Sequence, residues 1–143
     1  MLSFDTNIVV HSANNKSLLQ SAAKQFLADL TPRSDVVVCE LMLVECYLKL
    51  RNGHIFEVPL TAGQATAACQ NYRYHPRWRL IESAPVMDKV WQFAGQRFFA
   101  IRRIVDVRMA LTLQAAGVTE FATTNVKDFE GLGFERVWNP LAV

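Results

Sequence analysis

No stretch of this chain approaches the roughly 18 to 20 consecutive apolar residues of a membrane span, and none of the pieces is set apart by a linker, a repeat or a low-complexity tract. The first residues, Met1-Leu2-Ser3-Phe4-Asp5, place an acid where a leader peptide needs a basic start and an apolar run. The three cysteines, Cys39, Cys46 and Cys69, show no C-x-x-C spacing, which argues against a disulfide framework or a zinc site and for packed thiols in a reducing compartment. His11, His54 and His75 have no ligand spacing with one another or with cysteine. Charge of either sign is not in excess: the net charge is +2, too small to mark a nucleic-acid binder by itself. These absences predict a cytoplasmic protein without a membrane anchor.

What is present is an ordinary globular composition, 51% hydrophobic and 20% charged over 143 residues, enough for one domain spanning 1–143 with its own core. A short apolar strand ends at Asp5, and Thr6-Asn7 can open a helix by accepting hydrogen bonds from its free N–H groups. From Ser17 as a cap, Leu18, Leu19, Ala22, Ala23, Phe26, Leu27 and Leu30 follow helical spacing to Thr31-Pro32. Val36 to Cys39 predicts a buried strand, and Glu40 to Arg51 a helix with Leu41, Val44 and Leu48 on one face.

Thr61 caps a further helix through Cys69, and Tyr72 to Arg79 is a basic, aromatic loop that either stacks unpaired bases or packs on the core. A helix from about Ala84-Pro85 turns Val86, Val90, Trp91 and Phe93-Ala94 inward. Another runs from Val107 to Ala116 and stops at Gly117. Val118 to Thr123 and Phe134 to Pro140 predict strands, with a short helix near Phe129 between them. Alternating strands and helices predict an α/β fold with a parallel sheet.

Asp5, Glu45, Asp106 and Asp128 share a context, each at or soon after a strand end or at a helix start. In a right-handed α/β series such positions collect on one edge of the sheet. Carboxylates gathered there repel unless a cation intervenes, and oxygen-only ligands favour Mg²⁺ or Mn²⁺ over zinc. Such a centre suits phosphodiester hydrolysis, with one metal or two. Asp106 is also placed to cap its helix, and Asp128 the helix at Phe129.

The set Phe4-Asp5-Thr6-Asn7, Leu43-Val44-Glu45-Cys46-Tyr47, Val105-Asp106-Val107-Arg108-Met109-Ala110 and Ala122-Thr123-Thr124-Asn125-Val126-Lys127-Asp128-Phe129, with Asn139-Pro140, resembles the PIN-domain nucleases. Chain length and plan are similar to the VapC-type toxins of toxin–antitoxin pairs. The resemblance implies a three-layer fold, a central parallel sheet flanked by helices, and a metal-dependent endoribonuclease that forms a homodimer and is restrained by a cognate antitoxin. It implies that Asp5, Glu45 and Asp106 are catalytic and hold the Mg²⁺ or Mn²⁺. For the fourth position two residues remain open: relatives often carry Asp where Asn125 stands, and Asp128 lies one helical turn on. Asn125, Thr124, Arg102 and Arg103 are the candidates for substrate phosphates. Glu40 stands where relatives often carry Ser or Thr. The alternatives are an RNA-processing PIN nuclease without an antitoxin and a non-catalytic RNA- or protein-binding module of the same fold.

Overall fold

The computed structural model describes residues 1–142; Val143, the last residue of the expected domain, lies outside them. Five three-residue strands form the sheet: β1 (Leu2–Phe4), β2 (Val37–Cys39), β3 (Arg79–Ile81), β4 (Glu120–Ala122) and β5 (Arg136–Trp138). All their pairings are parallel. β4 lies between β1 and β5, β2 pairs with β3, and a parallel bridge from Leu2 to Val36 joins the two ladders. The spatial order is therefore β3-β2-β1-β4-β5. The chain moves outward from β1 on one side, then returns to build the other, so the order reverses between β1 and β4.

Burial follows this order. β1 and β2 are wholly buried and β4 nearly so, while the edge strands β3 and β5 are partly exposed. Leu2, Phe4, Val37, Val38, Phe121 and Ala122 thus read as short continuous apolar runs, as a sheet covered on both faces requires.

The helices are α1 (Thr6–Ala13), α2 (Gln20–Leu30), α3 (Glu40–Leu50), α4 (Ala62–Arg73), α5 (Met87–Ala94), α6 (Arg103–Ala115) and α7 (Val126–Phe129). α1 packs on α2 and α3, α3 on α4, and α5 on α6, which also lies against β2. Thr61 caps α4 as expected, in a reciprocal box with Gln64: Gln64 N donates to Thr61 Oγ1 at 3.2 Å and Thr61 N to Gln64 Oε1 at 3.0 Å. Just past the end of α6 stands Gly117, whose φ of +93° is a left-handed turn that a side chain would resist.

Four expectations need correction. α2 begins at Gln20, because Ser17 Oγ accepts from Leu19 N in a turn of its own, and Leu18 is fully exposed. α3 buries Met42, Leu43, Cys46 and Leu50, leaving Val44 and Leu48 in solvent. That rotation leaves Glu45 half-buried. The segment Tyr72 to Arg79 is not one loop: α4 runs to Arg73 and Arg79 opens β3, while Tyr72 and Trp78 pack their rings on Phe4, 6.2 and 5.6 Å between centroids. Trp91 faces outward, since Val90 takes the buried position of α5.

Phe121 is enclosed between the rings of Phe129 and Phe134, 4.6 and 5.0 Å away, at the centre of β4. Phe121→Ala should cost about 3 to 5 kcal/mol of stability through lost burial and an unfilled cavity. Urea unfolding should show a lower midpoint with an unchanged slope.

Candidate active site

Asp5 follows β1 directly and is 4% exposed. Its backbone N–H donates to Ala122 O at 2.8 Å, continuing the β1–β4 ladder, and its carboxylate sits where the strand order reverses. Thr123 Oγ1, just past β4, donates to Asp5 Oδ2 at 2.8 Å, and Thr6 Oγ1 donates to Oδ1 at 3.3 Å. One hydroxyl therefore fixes each oxygen. Thr123 Oγ1 also accepts from Asn125 N at 3.0 Å, so this threonine ties the β4–α7 turn to the same carboxylate.

Glu45 reaches the site from the middle of α3 and Asp106 from the first turn of α6, where the helix dipole favours a negative charge. α6 starts at Arg103, a turn earlier than expected, so Asp106 lies inside the helix rather than ahead of it. Burial raises the pKa of Glu45, opposed by the charge of Lys49 and reinforced by that of Asp5. Asp106 is pushed up to about 6, first by burial and then by the charges of Asp5 and Glu45; Lys49 opposes, and Asp128 adds least. These carboxyls lie close enough to disturb one another's ionisation.

Among the described residues no three acidic, histidine or cysteine groups close on a common ligation point. Lys49 instead sends its ammonium to Thr6 Oγ1 at 2.7 Å, beside Asp5. The donor chemistry still fits a hard divalent cation. It is all oxygen, and it is net negative even with Lys49. Asn7 supports the fit: its Nδ2 donates to Thr124 Oγ1 at 2.7 Å, while its buried Oδ1 has no partner in the protein. Glu45 and Asp106, half-exposed, have freedom to draw inward around an ion.

Asn125 and Asp128 are exposed, and with Thr124, Val126 and Lys127 they line a hollow at the β4–α7 turn. Arg103 turns its Nε and Nη2 to the backbone O of Asp128, both at 3.3 Å, with its guanidinium 5.6 Å from the ring centre of Phe99. Arg102 is exposed. Glu40 is paired with Arg73 Nε at 2.6 Å rather than with the other acids. Lys49, Thr6, Asn7 and Thr123 were not singled out from the sequence as site residues; Lys49 at four residues from Glu45 on the same helix face was the available signal.

No model of a known protein family matches the chain. Ribonuclease VapC24 of Mycobacterium tuberculosis, however, is 46% identical over 141 residues, covering 99% of this chain and 97% of that protein. The chain belongs to the VapC ribonuclease family. Solved structures agree on the fold of this VapC-family chain. FitAcB from Neisseria gonorrhoeae superposes with a TM-score of 0.63 over 100% of both chains at 16% identity. VapC20 of M. tuberculosis, described as a Sarcin-Ricin loop cleaving toxin, gives 0.61 at 16% identity over 85% of this chain and 87% of its own. A FitAB complex bound to a DNA fragment gives 0.62 at 16% identity, over 100% and 97%. The PIN-type arrangement expected from the sequence is present.

Because the folded pKa of Asp106 lies above its ordinary 3.8, its contribution to stability is full below about pH 4 and is lost as pH rises through about 6. Asp106→Asn should therefore make the metal-free protein more stable at pH 7.5 and leave it unchanged at pH 4. Two pKa units correspond to roughly 3 kcal/mol, but solvent screening of a half-exposed side chain reduces the expected gain to about 1 kcal/mol. Urea unfolding in EDTA at the two pH values measures it.

Proposed function

We propose that this VapC-family ribonuclease hydrolyses RNA phosphodiester bonds at the carboxylate cluster of Asp5, Glu45 and Asp106, using Mg²⁺ or Mn²⁺. The observation that carries this reading is the grip on Asp5: a buried carboxylate, one hydroxyl on each oxygen, at the point where the strand order of a parallel sheet reverses. A carboxylate so fixed is oriented in advance of any ligand, and its two neighbours can close on the same ion. When bound, the cation supplies the charge that favours ionisation of a water and that offsets the negative charge developing on the phosphate.

The protein's own groups do the rest. Asp5 and Asp106 hold their oxygens from the sheet edge and the α6 N-terminus, while Glu45 approaches from α3 across the cleft. Asn7 Oδ1, buried and unmet, offers an acceptor to water or a sugar hydroxyl. Asn125 and Thr124 stand at the mouth with amide and hydroxyl groups for a phosphate, and exposed Arg102 adds a positive charge. Arg103 acts there by holding the Asp128 carbonyl, and so the turn, in place. Asp128 serves as the outermost carboxylate of the set.

The chain acts in the cytoplasm as a homodimer paired with a small antitoxin. Supporting the protein partners are large apolar side chains left in solvent: Val44 and Leu48 on α3, and Trp91, Phe98 and Ile101 on α5 and the segment after it. Among the described residues no helix is long and apolar enough to cross a membrane.

Purified protein should cleave labelled total RNA with Mg²⁺ or Mn²⁺ and fail to do so in EDTA. Asp5→Asn, with unchanged circular dichroism, should lose at least about 100-fold in rate, since several kcal/mol of transition-state stabilisation go with the ion. Undiminished cleavage by the folded variant would remove the carboxylates from the mechanism.

A further inference from the structure

Lys49 lies in the last turn of α3, four residues beyond Glu45 and on the same face. A cation at a helix C-terminus is favourable wherever it points, and solvent is its usual destination. Here the half-buried side chain turns toward the acids: Nζ donates to Thr6 Oγ1 at 2.7 Å, and the same hydroxyl donates to Asp5 Oδ1 at 3.3 Å. Its charge also acts on Glu45 and Asp106, lowering the proton affinity of both. The ammonium is thus tethered to one carboxylate through a threonine and felt by the other two.

Charge balance gives this placement a meaning. Asp5, Glu45 and Asp106 bring three negative charges out of bulk water, whereas exposed Asp128 keeps its hydration. One fixed ammonium leaves two of those charges to be met, which a single divalent cation satisfies. A second divalent ion would face an excess of positive charge beside a lysine that cannot leave its helix. The ammonium has three N–H donors and Thr6 takes one, leaving donors free for the non-bridging oxygens of a phosphate.

We propose that Lys49 is a built-in cation of this active site, taking the role of a second metal ion so that each chain binds one divalent ion and the lysine holds the substrate phosphate. This rests on the metal-dependent nuclease reading above. The position is distinct from the carboxylate set: Lys49 ligates nothing and sets how many ions its neighbours accept.

The test is a Mn²⁺ titration of the folded, metal-stripped protein, followed by electron paramagnetic resonance of free Mn²⁺. The wild type should take up one ion per chain. Lys49→Met, which keeps the apolar stem, should take up two, the first at least roughly tenfold more tightly, because the repelling charge is gone. Lys49→Gln, which keeps a donor for Thr6, should behave like Lys49→Met, and Lys49→Arg like the wild type. Two ions in the wild type, or one ion of unchanged affinity in both neutral variants, would overturn the proposal while leaving the nuclease reading intact. No Mn²⁺ uptake by any of the proteins would bring down the metal reading and the proposal with it.

Discussion

Three carboxylates within reach of one another's charge are held at the edge of a parallel sheet, and their repulsion is the constraint around which the local structure is built. Each supporting feature offsets part of it. Thr123 and Thr6 donate one hydroxyl to each oxygen of Asp5. The dipole of α6 meets Asp106 in its first turn, and Lys49 brings a full positive charge to Thr6. Burial, more than repulsion, raises the pKa of Glu45 and Asp106; the neighbouring carboxylates add to it and Lys49 opposes it. Carboxylates gathered in this way have an electrostatic reason to accept a cation.

The fold explains why the charges meet there. Strand order reverses between β1 and β4, so the connections leaving these two strands diverge and open a crevice at their C-terminal ends. Asp5 and Thr123 are the first residues past those ends. The buried middle strands β1 and β2 and the nearly buried β4 give the crevice its floor, whereas its outer wall is the short α7 turn, carrying exposed Asn125 and Asp128 and held by Arg103. Asp5 is thus fixed on both oxygens, while Asn125 and Asp128 stand open to solvent.

Much of this was legible in the sequence because it is local. Strand ends near Asp5, Cys39 and Thr123, the Thr61 cap and the Gly117 stop each depend on a few neighbouring residues, and their order pointed to the α/β plan and the acidic set. What escaped depends on distant contacts. The burial face of α3 could not be taken from apolar spacing, since Met42, Leu43, Cys46 and Leu50 compete with Leu41, Val44 and Leu48 and both sets fit a helix. β3 is short, begins with Arg79 and sits half-exposed at an edge, so it lacks the apolar signature that revealed β2. Lys49 escaped notice because its partner, Thr6, lies 43 residues earlier in the chain.

The hydrogen bond between Thr123 and Asp5 spans 118 residues of sequence. β1, made before the other four strands, therefore finds one of its two neighbours only when β4 has been made. Long-range parallel pairing of this kind forms late, after the cost of closing a large loop has been met. A nascent chain carries Asp5, Glu45 and Asp106 well before it owns the sheet edge that orders them. For a nuclease made amid ribosomal and messenger RNA, translation itself postpones activity until β4 has been made.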